Sequence, residues 1–219
     1  NVSLIVIVFA SFPEVAPSLI DRYLVACADA EIPALLVLNK ADLIQGNDPI
    51  LDLVREYQDL GYELMQCQST GEVSVSALAK RLAGETVAFV GQSGVGKSSL
   101  INAIVPEAAQ KTNIISENSA LGQHTTTSTR LIAFGEGAAL IDSPGIREFG
   151  LWHLDLAKVQ HGFPDIVNLL GHCQFRNCTH KHEKQCALRQ AVESGEILQR
   201  RLDSYLRLID EITEAQQKN

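Results

Sequence analysis

Gly91-Gln92-Ser93-Gly94-Val95-Gly96-Lys97-Ser98 is the stretch on which the reading of this chain turns. Its glycines and its Lys-Ser ending have the spacing of a phosphate-binding loop. It stands between an apolar run, Val87 to Val90, and a segment of helical spacing from Ser99 to Ile104. Glycine lets the backbone curl until successive N–H groups face one concavity, and the helix that follows adds its positive end beside the same anion. Lys97 is expected to neutralise the β and γ phosphates, and Ser98 to place its hydroxyl on Mg2+. Nucleotide contacts are expected from Gly91, Ser93, Gly94, Val95, Gly96, Lys97, Ser98 and Ser99. The plain alternative is a glycine turn that caps a helix.

Toward the N-terminus, Val2 to Phe9 (VSLIVIVF) is a continuous apolar, β-branched run, as expected of a strand covered on both faces. Leu19, Ile20, Tyr23, Leu24 and Cys27 then have helical spacing, and Ala34 to Leu38 is a second apolar run. Strand, helix and strand in this order imply a right-handed crossover and a parallel pair. Asn39-Lys40-Ala41-Asp42 follows at once and has the form of a guanine-reading loop. The Asn amide can meet N7 and O6 of the base, and the Asp carboxylate can accept from N1–H and the exocyclic amine. Lys40 can lay its methylene stem over the ring. Taken alone, Asn39 and Asp42 also suit an ordinary turn. The spacing predicts a helix from Pro49 to Leu60, a strand from Tyr62 to Cys67 and a helix from Ser74 to Leu82. Ser69, in the loop after that strand, is a candidate support for the base.

Toward the C-terminus the chain turns polar around Gly122-Gln123-His124-Thr125-Thr126-Thr127. Thr125, Thr126 or Thr127 could supply a second protein ligand to Mg2+, with Thr126 favoured; a plain Ser/Thr-rich loop is the alternative. Thr129 to Phe134 and Ala138 to Ile141 read as strands joined at Gly135-Glu136-Gly137. The second delivers Asp142-Ser143-Pro144-Gly145. Asp142 can hold a Mg2+ water and the Gly145 N–H can meet a γ phosphate. Because Ser143 follows Asp142, the extra acidic residue of many P-loop ATPases is missing, which disfavours an ATPase. Ile146 stands where many small GTPases carry a water-orienting glutamine. His124 is the candidate to position or deprotonate that water, against a solvated loop histidine.

Three loops, at 39–42, 91–98 and 142–145, thus begin where apolar runs stop, and the carboxyl strand ends of a doubly wound sheet share one edge. Their order is base loop, phosphate loop, DxxG, a circular permutation of the usual GTP-binding arrangement. The expected fold is α/β: a permuted P-loop GTPase domain over residues 1–152, its sheet mostly parallel, with a small zinc-binding helical domain over 153–219.

In that second region Cys173, Cys178, His180 and Cys186 are spaced C-x4-C-x-H-x5-C. Three thiolates and one imidazole suit a closed, structural Zn2+ site. His172 and His182 are rival ligands. Arg176, Lys181, Lys184 and Arg189 give a local cationic excess that suits RNA phosphates or, equally, a solvated surface. Val192, Ile197, Leu198, Leu202, Leu206 and Ile209 suggest helices up to about Glu214.

The 219 residues carry 18 basic and 26 acidic side chains, a formal charge of -8, which argues against coating nucleic acid by bulk electrostatics. The run from Val2 to Ala10 is far below the ~20 residues needed to cross a bilayer and has no basic leader. A cytoplasmic protein with no membrane partner is expected. Five cysteines, three beside histidines, suit reduced thiols and a metal better than disulfides. The start at Asn1, almost inside a strand, suggests a piece of a longer protein.

Together the permuted order, GQHTTTSTR, DSPGIREFGLW and CQFRNCTH followed by Cys186 resemble the bacterial RsgA (YjeQ) family of circularly permuted GTPases. The resemblance implies a GTP hydrolase for late maturation of the small (30S) ribosomal subunit, stimulated by that subunit and in contact with its rRNA. It implies GTP/GDP with Mg2+, one structural Zn2+, and an N-terminal OB-fold that is absent here. Functional residues would then be Asn39, Lys40 and Asp42; Gly91 to Ser98; His124 and the threonines after it; Asp142 and Gly145; and the four metal ligands. A monomer is expected. The alternative is a nucleotide-gated RNA- or ribosome-binding module with incidental hydrolysis.

Overall fold

The computed structural model describes residues 1–105, 130–142 and 156–217. They fall into two compact units, one drawn from Asn1–Ala16 and Ile32–Phe149, the other from Pro17–Glu31 and Gly150–Asn219.

The first unit is built on a six-stranded sheet: β1 (Leu4–Phe9), β2 (Ala34–Leu38), β3 (Glu63–Gln66), β4 (Thr86–Val90), β5 (Arg130–Phe134) and β6 (Ala138–Asp142), in the spatial order β3-β2-β1-β4-β6-β5. Every pairing is parallel except that of β5 with β6. All six residues of β1 are buried, which is why LIVIVF shows no polar alternation. From β1 the chain builds outward through β2 and β3; from β4 it builds the other way through β6 and β5. The direction reverses between β1 and β4. In open α/β sheets the crevice at such a point, beyond the carboxyl strand ends, receives the ligand.

The helix after β1, α1 (Pro17–Asp29), belongs to the second unit. The first unit carries α2 (Ile50–Asp59), α3 (Glu72–Arg81) and α4 (Lys97–Ile104). Asp48 and Pro49 start α2: the Asp48 carboxylate accepts the Ile50 N–H at 3.0 Å. Leu4, Val6, Val8, Leu35, Val37, Val87 and Phe89 form one core with Leu78 of α3, Leu100 and Ile104 of α4, and Ile132, Phe134 and Leu140 of the hairpin. Burying each such side chain contributes about 1.5–3 kcal/mol. The outer strand β3 has no fully buried residue. Glu63 on it accepts two bonds from Arg81 of α3, at 2.6 and 2.8 Å, and so places charge on that edge.

The second unit consists of α1, α5 (Leu156–His161), α6 (Pro164–Val167), α7 (Ala187–Glu193) and α8 (Gln199–Gln217). α1 packs on α5 and α8. At their centre Arg201, 1% exposed, bonds Asp21 at 2.5 Å and Asp165 at 2.6 and 2.9 Å. Its guanidinium also lies 4.5 Å over the Phe163 ring. The apolar stripe of α8 is Leu202, Tyr205, Leu208 and Ile212, all buried, whereas Leu198 is half exposed. Leu206 and Ile209, to which the spacing points, are half buried, and the fully buried face runs one residue N-terminal to them, through Tyr205 and Leu208. Among the described residues no helix is long and apolar enough to cross a membrane.

Candidate functional site

The base-reading loop grows directly out of β2. Asn39 N–H continues the ladder to the Phe9 carbonyl at 2.8 Å, and Ala41 N–H bonds the Cys67 carbonyl at 3.1 Å. Between them Lys40 takes a left-handed conformation, φ +58°, and the chain enters a 3-10 turn over Ala41–Leu43. Asn39 is fully buried. Its Nδ2 donates to the Val95 carbonyl at 2.9 Å, while its Oδ1 has no partner among the described residues. A buried acceptor left open costs free energy, so Oδ1 calls for a donor, whereas guanine N7 and O6, both acceptors, would call on the second N–H of Nδ2. Lys40 Nζ donates to the carbonyls of Gly94, at 2.7 Å, and Phe12, at 2.9 Å, and its charged end is thereby docked on the phosphate loop. Asp42 is exposed.

The phosphate loop leaves β4 at the sheet's switch point. Gly91 has φ +139°, and a Cβ there would overlap the Val8 carbonyl oxygen of β1. Gly96 has φ +92°, and a Cβ there would overlap the Asn39 amide nitrogen. Only glycine permits both the left-handed backbone and these approaches. Lys97 opens α4 and folds back so that Nζ donates to the Gly91 and Gln92 carbonyls, each at 2.7 Å. Ser98 and Ser99 lie exposed on the first turn of α4, Ser93 is exposed and Val95 is buried. Ammonium, glycine-rich turn and helix N-terminus therefore lie together in one loop, a combination suited to phosphate.

A third loop stands beside these two. Gly71 N–H bonds the Gln68 carbonyl at 2.8 Å and closes a turn with Ser69 and Thr70 at its tip. Cys67 N–H bonds the Leu38 carbonyl at 2.7 Å, which ties this loop to the base loop. Burial pushes the Cys67 thiol up to about 11, so it is neutral at physiological pH. The backbone of Asp142 ends β6, next to β4. Its side chain, His124, Thr125, Thr126, Thr127 and Gly145 lie outside what the structure describes. One residue that spacing did not single out is Ser74, whose hydroxyl bonds into the Gln68–Gly71 turn. A hydroxyl residue three positions after a glycine that precedes a helix is the signal that could have found it.

In the second unit Cys173, Cys178, His180 and Cys186 come together, with their ligand atoms all within 4.8 Å of one another. Cys173 Sγ lies 3.9 Å from Cys186 Sγ, and His180 Nδ1 lies 3.4 Å from both. Tetrahedral Zn2+ with Zn–S of ~2.3 Å and Zn–N of ~2.0–2.1 Å calls for edges of about 3.8 and 3.5 Å. The donor set fits a metal, through Nδ1 of the histidine. Burial lowers the basicity of His180 and pushes the Cys178 thiol up to about 12. A thiol raised in this way holds its proton until a cation displaces it. Ala187 N–H points at Cys173 Sγ from 3.3 Å. Glu183 accepts from Thr179 N–H, its hydroxyl and His182 N–H, at 2.8, 2.6 and 3.1 Å, and these bonds hold its carboxyl well below the usual range. His172 and His182 are not part of the cluster. Of the cations nearby, Lys181 is paired with Asp210 at 2.7 Å, while Arg176 and Lys184 stand exposed.

A parallel sheet with phosphate and base loops meeting at its switch point, in the order base loop, phosphate loop, DxxG, defines a circularly permuted P-loop nucleotide-binding protein. The RsgA GTPase family model matches residues 1–152, and the chain belongs to that family. It is 49% identical over 216 residues to the small ribosomal subunit biogenesis GTPase RsgA of Haemophilus influenzae (strain PittGG), covering 98% of this chain and 62% of that protein. It is 45% identical over 222 residues to the protein of that name from Yersinia enterocolitica, covering 98% of this chain and 63% of the relative. The chain thus spans somewhat under two thirds of these relatives. Among solved structures, YjeQ from Thermotoga maritima matches with a TM-score of 0.75 and 29% identity, over 97% of this chain and 72% of that one. YloQ, a circularly permuted GTPase, matches with a TM-score of 0.75 and 32% identity, over 98% and 69%.

Proposed function

We propose that this chain is a Mg2+-dependent GTP hydrolase that acts in late assembly of the small ribosomal subunit and is stimulated by that subunit. The observation that supports it most is the bond from Asn39 to Val95: one buried side chain holds the guanine-reading loop on the phosphate loop. Membership of the RsgA family and the names of the relatives supply the ribosomal direction.

In this reading Asn39, Lys40, Asp42 and Ser69 hold the guanine, and residues 91–99 with Asp142 and Gly145 hold the phosphates. Ser98 and Thr126 ligate Mg2+, which screens the phosphate charge. Lys97 stabilises charge that develops on the transferred phosphoryl group, and His124 positions the attacking water. Catalysis rests on positioning, and turnover without the subunit is slow. Cys173, Cys178, His180 and Cys186 hold one structural Zn2+ with no open coordination position. Residues 1–152 carry the nucleotide chemistry, and residues 153–219 carry the metal knuckle, whose cations meet rRNA. The protein works as a cytoplasmic monomer.

The test is GTP hydrolysis with and without isolated small subunits, with Asp42→Asn as the base control. Acceleration by the subunit, and a preference in the variant moved from GTP toward XTP, is the expected result. Nucleotide-dependent binding to the subunit without acceleration would instead mean a binding module. Indifference of the variant to the base would remove the guanine assignment.

A further inference from the structure

We propose that Ser74 is a positioning residue for guanine recognition: its hydroxyl sets the loop on the far side of the base site, and so tunes discrimination for the base. The inference rests on the guanine-nucleotide reading given above.

The loop after β3 turns at Gln68-Ser69-Thr70-Gly71, and the two ends of that turn are gathered on one oxygen. Ser74 Oγ accepts the Gln68 N–H at 3.0 Å. It lies 3.1 Å from the Gln68 carbonyl and 3.0 Å from the Gly71 carbonyl, either of which takes its proton. The turn's own bond, Gly71 N–H to the Gln68 carbonyl, is 2.8 Å. Gln68 Nε2 bonds the Thr70 hydroxyl at 3.2 Å, so the side chains of the turn bond inward as well. Ser69 and Thr70 therefore ride on a tip whose roots are fixed by the third residue of α3. The Ser74 carbonyl in turn receives the Cys67 thiol at 3.6 Å, so the bonds run both ways between this helical turn and the strand end.

What makes the arrangement more than a helix start is its connection to the base loop. Cys67, the residue before the turn, bonds Leu38 through its N–H and Ala41 through its carbonyl, on either side of Asn39 and Lys40. The chain of contacts thus runs from Ser74 to Gln68, through Cys67, to the loop that reads the base edge. All of it lies in the first unit. Short loops exposed to solvent lose part of their placement when such a local side-chain anchor is removed, because fewer bonds then offset their entropy. Ser69 is half buried and Thr70 exposed, and the Ser74 hydroxyl is the side-chain group that ties the turn carrying them to α3.

The variants are Ser74→Ala, which removes the hydroxyl, and Ser74→Thr, which restores it. Titration of the 219-residue chain with GDP and IDP, the latter lacking the exocyclic amine, reads both affinity and discrimination. A lost hydrogen bond of ~1 kcal/mol corresponds to roughly fivefold in affinity. Ser74→Ala is expected to weaken GDP roughly fivefold, to narrow the GDP-to-IDP ratio, and to raise KM for GTP more than it lowers kcat. Ser74→Thr is expected to recover the ratio. A merely structural serine would lower the unfolding midpoint and leave the ratio where it was, and that result overturns the proposal. If the unsubstituted chain binds neither nucleotide, the guanine reading itself fails; if it binds GDP and Ser74→Ala matches it in both affinity and ratio, only the role of Ser74 fails.

Discussion

The Asn39 amide nitrogen donates to the Val95 carbonyl at 2.9 Å, across 56 positions of sequence, and joins the base loop to the phosphate loop. The bond ties together the two loops proposed above to hold the base and the phosphates. Asn39→Ala is expected to weaken GDP binding by at least ~10-fold and to lower stability by about 1–3 kcal/mol, since a buried carbonyl loses its donor. Nucleotide titration and urea unfolding of the same sample check both. A variant that binds GDP as before would break the assignment.

Gly96→Ala tests the same junction from the other side. The new methyl would meet the Asn39 amide at a backbone φ of +92°, so clash and strain add. Strain of this kind costs about 1–3 kcal/mol. Gly46→Ala is the control: its φ of +54° is also left-handed, but nothing lies within 4 Å of the added carbon. Gly96→Ala is expected to lose GDP binding and more stability than Gly46→Ala, and equal losses would mean that backbone strain alone decides.

Arg201 bonds both Asp21 and Asp165 in the interior of the second unit, and removing it takes that guanidinium from Asp165 and leaves Asp21 to Arg200, which bonds its other oxygen at 2.8 Å. Breaking such a buried cluster typically costs 3–5 kcal/mol. Arg201→Met is therefore expected to destabilise by about that amount in urea unfolding. Adding Asp21→Asn and Asp165→Asn to Arg201→Met is expected to recover part of the loss. A triple variant no better than the single one would show that packing on Phe163, and not charge, is what Arg201 supplies.

For the metal knuckle, elemental analysis of the purified chain is expected to give one zinc. Cys186→Ser is expected to abolish it. Structural zinc binds small peptides with roughly 10–16 kcal/mol of apparent free energy at neutral pH. Chelation should accordingly open residues 173–186 to protease while strands of the first unit keep their amide protection.

Acidity acts on the edge of the sheet. Bonding by the Arg81 guanidinium holds the Glu63 carboxyl below its ordinary value. A group lowered on folding stabilises above its unfolded pKa of ~4.3, and the contribution fades as pH falls through the folded value. Solvent screens this half-exposed pair, so Glu63→Gln is expected to cost no more than ~1 kcal/mol at pH 7. At pH 3 and below the difference from the unsubstituted chain should shrink, and high salt should reduce it at pH 7.

Much of this was legible because several segments obey local rules. LIVIVF in β1 could be read as a doubly covered strand from its lack of alternation, and Asn39-Lys40-Ala41-Asp42 and Gly91 to Ser98 from fixed spacing. The grouping of Cys173, Cys178, His180 and Cys186 was legible for the same reason, whereas neither the left-handed backbone of His180, φ +63°, nor the turning of its Nδ1 toward the cysteines is revealed by spacing. Helix starts shifted by two residues where a glycine supplied the turn: α3 begins at Glu72 and α4 at Lys97. The bond from Ser74 into its turn and the burial of Arg201 were not legible. Each depends on partners brought together in space, and Asp21 lies 180 residues from Arg201.

The packing of α1 with the C-terminal helices makes the two units inseparable along the chain. The polypeptide passes from one to the other at Ala16–Pro17, returns at Glu31–Ile32 and crosses again at Phe149–Gly150. Neither unit is a contiguous piece, so no single cut releases one intact. A chain ended at residue 152 would retain the loops at 39–42 and 91–98 and yet keep the buried Asp21 without Arg200 and Arg201, the two guanidinium groups that bond it. Insertion, tagging and proteolytic mapping of this protein all inherit that interleaving: what behaves as one body is not what can be excised as one.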